Sequence, residues 1–101
     1  NKKTKAIELG SNAGYFLTVL KKYVLSAIGV EPAKNIAKIA NLNGNLTVNE
    51  FFNLSTARNI ANKYGVQDII IARHMFAHNS YPQNLLKGKV LKIFHRPPSW
   101  L

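Results

Sequence analysis

The sequence contains no cysteine, few acidic residues and no long apolar run. Without cysteine, its 101 residues can form no disulfide, no zinc–thiolate site and no thiol nucleophile. The apolar runs extend over only a few residues, far fewer than a membrane-spanning helix requires. Apolar residues still make up 47% of the chain, which is typical of a globular domain rather than a disordered one. These features predict one small cytoplasmic domain with no membrane partner.

The shortage of acids leaves a formal net charge of +10, which a nucleic-acid-binding module would also carry. The lysines, however, occur singly or in pairs, and denser clusters appear only in residues 2–5 and 87–96. Asparagine and isoleucine are also abundant, so a coding bias is an alternative explanation of the lysine content. We therefore expect weak, salt-sensitive binding to polyanions and no specific nucleic-acid partner.

Short apolar segments alternate with segments of helical periodicity, a pattern that indicates βαβ units and a parallel sheet. The predicted strands are residues 5–9, 24–30, 46–48 and 68–72; the last is apolar enough to be covered on both faces. Three helices are predicted between them, the second opened by Pro32 and the third capped by Asn53 or Ser55. Their predicted buried stripes are, in order, Phe16, Val19, Leu20 and Tyr23; Ile36, Ile39 and Ala40; and Ala57, Ile60, Ala61 and Tyr64.

The most informative segment is IELGSNAG, residues 7–14, together with Glu31 at the end of the second strand. Gly10 and Gly14 flank a turn between a strand and a helix, where small residues let a cofactor approach the backbone. Glu31 follows Gly10 by 21 residues, where an acid accepts hydrogen bonds from ribose hydroxyls. An acid beside Pro32 would also be favoured by the dipole of the helix that follows. The spacing leaves both roles open.

The loop has one glycine too few for the G-x-G-x-x-G pattern of dinucleotide dehydrogenases, and an acid, Glu8, precedes its first glycine. It resembles the E-x-G-x-G-x-G motif of class I S-adenosylmethionine-dependent methyltransferases. The blocks ELGSNAGYF, GVEPAKNIAKIAN, TVNEFF and DIIIARHMFAHN together resemble the family of sugar C-methyltransferases, over about residues 5–86. The resemblance implies a Rossmann-like three-layer α/β sandwich with a mostly parallel sheet in the order 3-2-1-4. The cofactor would lie at the carboxyl ends of strands one and two.

The resemblance also implies roles for individual residues around S-adenosyl-L-methionine. The first loop would hold the methionine end, the segment after the second strand the ribose, and the segment after the third strand the adenine. Of Phe51 and Phe52, at least one is expected to pack in the core instead. In chain order, the implied cofactor-binding residues are Glu8, Gly10, Ser11, Asn12, Gly14, Glu31, Pro32, Asn49, Glu50, Phe51 and Arg73. His78 matches a histidine beside the methyl-transfer centre and is the candidate catalytic residue; no metal ligand is predicted.

The chain departs from the family pattern in its loop and in its length. Ala13 stands where the family usually has aspartate, and Arg73 and His74 stand where it has Asn-like residues. The family also carries a cysteine-rich zinc module, the rest of the sheet and a C-terminal domain. We therefore expect a truncated chain, with a partial cofactor-binding domain in residues 1–86 and a basic tail in residues 87–101.

The implied activity of the full-length protein is C-methylation of a nucleotide-linked sugar, a small-molecule substrate. One alternative is a folded remnant without catalytic activity, which the truncation and Ala13 favour. A basic nucleic-acid-binding module is a second alternative, and a nicotinamide-dependent oxidoreductase is a third, which the loop disfavours. Truncation would also expose the edge of the fourth strand, so self-association is expected.

Overall fold

The computed structural model describes residues 3–72, which form a four-stranded parallel sheet with three helices. In chain order the elements are β1 (Lys5–Leu9), α1 (Tyr15–Leu20), β2 (Ser26–Val30), α2 (Lys34–Leu42), β3 (Thr47–Val48), α3 (Leu54–Tyr64) and β4 (Ile69–Ile71). The strand order is β3-β2-β1-β4, and every neighbouring pair is parallel. The Rossmann-like α/β class and the order 3-2-1-4 are therefore confirmed. No helix within this part of the chain is long and apolar enough to cross a membrane.

The main core lies between the sheet and α3. β1 pairs along its whole length with β2, from Lys5 opposite Ser26 to Leu9 opposite Val30. Alternate residues of a strand face the same side of a sheet. One hydrophobic cluster accordingly contains Ile7, Leu9, Val30, Phe52, Ala57 and Ile60. All six are essentially buried, so this layer supplies most of the apolar burial that holds α3 on the sheet.

α3 begins and ends as its sequence predicts. Of the two predicted caps, Asn53 is the one used, and its side-chain oxygen accepts a hydrogen bond from the Thr56 N–H at 2.9 Å. Gly65, with a φ of 91°, stands directly after the helix. The predicted stripe is confirmed: Ala57 and Ile60 are buried, and the other two members pack against the same cluster.

The predicted stripe of α1 is wrong for two of its four residues, whereas Phe16 and Leu20 are half-buried. Val19 and Tyr23 are 50% and 64% exposed, and the buried residue of the helix is Leu17. The reason lies in the strand opposite. Gly29 of β2 has no side chain, and a Cβ built on it would come within 2.7 Å of Leu17 Cδ1. The gap over Gly29 therefore selects the face of α1 that packs on the sheet.

The stripe of α2 is also partly wrong. Its buried residues are Ala37 and Ala40, whereas Ile39 is 47% exposed. Two alanines on the inner face let the helix lie close to the sheet, which turns the larger Ile39 outward. The helix begins at Lys34, two residues after Pro32, and Gly44 follows its end with the predicted left-handed φ of 83°.

β4 is shorter and less covered than predicted. Ile69 is 44% exposed, and Ile70 and Ile71 are only half-buried, so the expected coverage on both faces is wrong for this strand. Within residues 3–72, β4 pairs only with β1. Its start is held by Asp68, whose carboxylate accepts a hydrogen bond from the Lys5 N–H at 2.9 Å. The predicted basic tail, residues 87–101, lies outside the described residues.

Two isoleucines test this description of the core. Ile60→Ala should lower the free energy of unfolding by about 2–5 kcal/mol, because it opens a cavity between α3 and the sheet. Ile39→Ala is the matched control and should change it by no more than about 0.5 kcal/mol, because Ile39 is largely exposed. Urea denaturation measures both. Equal losses would contradict the assignment of Ile39 to the outer face.

We propose that the chain self-associates through the edge of β4, more strongly at high salt. The net charge of +10 opposes association at low salt. Between about 0.1 M and 1 M salt the screening length falls from about 10 Å to 3 Å, which removes that repulsion. Light scattering should therefore show a growing mass, and Ile69→Lys should reduce it by placing a charge on the exposed strand. A monomer at every salt concentration would refute the proposal.

Candidate cofactor site

The loop after β1 curls through three left-handed residues. Gly10, Asn12 and Gly14 have φ values of 68°, 59° and 90°, and Asn12 is the only non-glycine residue with positive φ in residues 3–72. Asparagine tolerates this conformation better than most residues. The N–H groups of Gly10 and Ser11 both donate to the Val30 carbonyl, at 2.8 and 3.2 Å. The loop is therefore fixed to the carboxyl end of β2.

Close packing beneath the loop depends on glycine. A Cβ on Gly29 would clash with the side chain of Ser11, which is 3% exposed. Within residues 3–72, Ser11 Oγ has no hydrogen-bond partner. A Cβ on Gly14 would come within 2.9 Å of the Asn45 side-chain nitrogen. The loop is thus pressed against β2 at one end and against the segment before β3 at the other.

Glu8 lies inside the sheet beneath the loop rather than in the loop itself. It is 1% exposed and stands opposite Gly29 of β2 and Ile71 of β4. Paired residues of parallel strands face the same side. Glu8 therefore shares the face of Gly29, on which α1 packs.

Glu31 connects the loop to the start of α2. Its Oε1 accepts a hydrogen bond from the Asn12 N–H and its Oε2 accepts one from the Ala33 N–H, each at 2.9 Å. Ala33 is the N-cap residue of α2, so Glu31 is an acid at a helix end, as one of the two predicted roles requires. A carboxylate offers about four acceptor positions, and these two bonds use half of them. The other predicted role, acceptance of hydrogen bonds from ribose hydroxyls, stays a prediction.

Asn49, after β3, holds the backbone beside Glu31. Its side-chain nitrogen donates to the Glu31 carbonyl at 2.9 Å and to the Pro32 carbonyl at 3.0 Å. The Glu31 N–H in turn donates to the Val48 carbonyl at 2.9 Å. The ends of β2 and β3 are therefore joined by main-chain and side-chain bonds at the same point.

The three residues that follow Asn49 differ in their exposure to solvent. Glu50 is exposed and Phe51 is 70% exposed, whereas Phe52 is buried. The expectation that one phenylalanine of the pair packs in the core is confirmed. Sequence reasoning missed a surface depression between β3 and α3. It includes Glu50 and Val48, whose carbonyl accepts from the Glu31 N–H, but no residue of the loop. Its lining residues are Val48, Glu50, Thr56, Asn59, Ile60, Lys63 and Tyr64.

Most of the predicted site residues meet at one edge of the sheet. Because carboxyl ends of parallel strands share an edge, the loop, Glu31, Pro32 and Asn49 come together there. Arg73 and His78 lie outside the described residues. No cluster of potential metal ligands occurs in residues 3–72.

The parallel 3-2-1-4 sheet with its connecting helices defines the Rossmann-like α/β fold. The crystal structure of the YcgJ protein from Bacillus subtilis has the same fold, with a TM-score of 0.51 and 24% identity. The match covers 76% of this chain and 34% of YcgJ.

The sequence is similar to a named methyltransferase. It is 32% identical over 82 residues to the C-methyltransferase NovU from Streptomyces niveus. The chain thus resembles S-adenosylmethionine-dependent methyltransferases, as predicted. The match covers 81% of this chain and 20% of NovU, so the chain spans about a fifth of that relative's length. No protein-family model matches the sequence.

Proposed function

We propose that this chain is the cofactor-binding part of an S-adenosylmethionine-dependent methyltransferase. The observation that carries the proposal is the Glu31 carboxylate, which lies beside the left-handed loop and retains acceptor positions. An adenosine group has two adjacent ribose hydroxyls that match such an acceptor. The similarity to a C-methyltransferase supports this cofactor over other adenosine-containing ones.

Different residues would contact different parts of the cofactor. The loop of Gly10, Ser11, Asn12 and Gly14 would lie against the methionine end, where its curled backbone can approach a small ligand. Glu31 would accept the ribose hydroxyls. The exposed Phe51 offers an aromatic face on which adenine can stack.

The substrate we propose is a nucleotide-linked sugar, methylated on carbon. The bound cofactor would supply an electrophilic methyl group, and a protein base would remove a proton beside a sugar carbonyl. The resulting carbanion would accept the methyl group as its bond to sulfur breaks, and S-adenosylhomocysteine would leave. His78 is the first candidate for that base. Because the chain spans about a fifth of NovU, we propose that it turns over no substrate by itself.

The rival oxidoreductase would bind NAD instead, so a comparison of ligands separates the two. S-Adenosylhomocysteine, the demethylated product, should bind more tightly than NAD, because the loop lacks the glycine spacing of a dinucleotide site. Calorimetric titration of the chain with each ligand measures the difference. Equal or tighter binding of NAD would refute the methyltransferase proposal.

Glu31→Gln provides the control for that titration. Glutamine keeps the length of the side chain and one oxygen acceptor but removes the charge. The variant should lose about 1.5–3 kcal/mol of binding free energy for S-adenosylhomocysteine, the range for hydrogen bonds to a charged group. Unchanged affinity would leave Glu31 with its helix-end role alone.

Position 13 gives a gain-of-function test. Ala13 is half-buried between Asn12 and Gly14, and the resembled family has aspartate there. Ala13→Asp should tighten S-adenosylhomocysteine binding, because a carboxylate can accept a hydrogen bond from the cofactor's ammonium group. Ala13→Asn, of the same size but neutral, should gain less. Weaker binding by the aspartate variant, measured by the same titration, would show that this loop accommodates no carboxylate.

A further inference from the structure

The side-chain amide of Asn49 is fully used as a donor by the main chain. Its nitrogen carries two hydrogens, and the two carbonyls of Glu31 and Pro32 accept them at 2.9 and 3.0 Å. The amide therefore has no hydrogen left to donate to an adenine ring. Both of its hydrogen bonds go to the backbone, at the carbonyls of Glu31 and Pro32.

The hydrogen bond from Asn49 to the Pro32 carbonyl fixes a donor that the Glu31 carboxylate uses. The Pro32 carbonyl and the Ala33 N–H are opposite ends of a single planar peptide group. Asn49 holds the carbonyl end at 3.0 Å, and Glu31 Oε2 accepts from the N–H end at 2.9 Å. Rotation of this peptide would turn the Ala33 N–H away from the carboxylate.

The other bond acts on the preceding peptide. Asn49 holds the Glu31 carbonyl itself, next to the Cα from which the carboxylate extends. The opposite oxygen, Oε1, receives the Asn12 N–H of the loop. The side chain of Asn49 is thus the start of a chain of contacts that runs through Glu31 to the loop.

We infer that Asn49 is a positioning residue, which sets ribose recognition by orienting Glu31 and not by donating a hydrogen bond to the cofactor. The part of this inference that concerns ribose rests on the proposed function. The hydrogen-bonded contacts from Asn49 through Glu31 to the loop, which we call the contact chain, do not depend on it. Loss of the Asn49 amide loosens the Ala33 and Asn12 hydrogen bonds even without a ligand. It also lowers the site's preference for a ribose over a deoxyribose.

Hydrogen exchange of the ligand-free chain tests the contact chain. In Asn49→Ala, the Ala33 and Asn12 amides should exchange at least about fivefold faster, the scale of one lost hydrogen bond. Asn53→Ala is the matched control, since it removes another asparagine contact to the backbone, at the start of α3. It should speed exchange at Thr56 and leave Ala33 unchanged. Unchanged exchange at Ala33 in Asn49→Ala would overturn the inference.

Ribose recognition is tested with S-adenosylhomocysteine and its 2′-deoxy analogue. The unaltered chain should prefer the ribose form by about tenfold, and Asn49→Ala and Glu31→Gln should each reduce the preference to about twofold. The double variant should lose no more than either single one. Direct adenine binding by Asn49 would weaken both ligands equally and leave the preference intact, which would overturn the inference.

The two tests distinguish a failure of the proposed function from a failure of the positioning role of Asn49. If the unaltered chain binds neither ligand but Asn49→Ala speeds exchange at Ala33 and Asn12, the proposed function fails and the contact chain stands. If the ligands bind as expected but the exchange is unchanged, the positioning role fails alone. Asn49→Ser, whose hydroxyl is too short to reach both carbonyls, should repeat the alanine result and keeps the test valid if Asn49→Ala does not fold.

Discussion

The buried carboxylate of Glu31 is the interaction on which the candidate site depends. It connects the loop after β1, through the Asn12 N–H, to the beginning of α2, through the Ala33 N–H. Hydrogen bonds to an ionised acceptor are roughly twice as strong as those between neutral groups. The left-handed Asn12 and the start of α2 are therefore fixed by one group.

These contacts of Glu31 require strands that end at the same edge of the sheet. They also require a residue without a side chain beneath the loop. Parallel pairing brings the ends of β1, β2 and β3 to one edge. Gly29 then leaves room for Ser11 and Leu17 to lie against β2. A side chain at Gly29 would displace the loop from the Val30 carbonyl to which it is bonded. The absence of a side chain in the strand is thus as necessary to the site as the acid that follows it.

The sequence allowed the parallel sheet, the start of α3 and the place of Glu31 to be predicted, because each has a local or periodic signal. The strand order followed from the family resemblance instead. The buried faces of α1 and α2 could not be predicted in the same way. Which face of a helix packs depends on what the opposing strand offers, and here Gly29 selects Leu17 over the more conspicuous Val19. The contacts of Asn49 have no periodic signal at all, since a side chain that bonds backbone carbonyls leaves no pattern in the sequence.

The two roles predicted for Glu31 are not competing explanations. An acid that serves only a helix end bonds the free N–H groups of the first turn. Glu31 instead bonds the N–H of the cap residue and an N–H of a loop 19 residues earlier in the chain. Its orientation is therefore set jointly by the loop and the helix, and under the proposed function the other acceptor positions of each oxygen would bond the ribose. A ligand that bonds these positions favours the ordered loop, because binding to the folded arrangement stabilises it by mass action. Under the proposed function, structural support and ligand recognition would thus act through the same carboxylate and in the same direction.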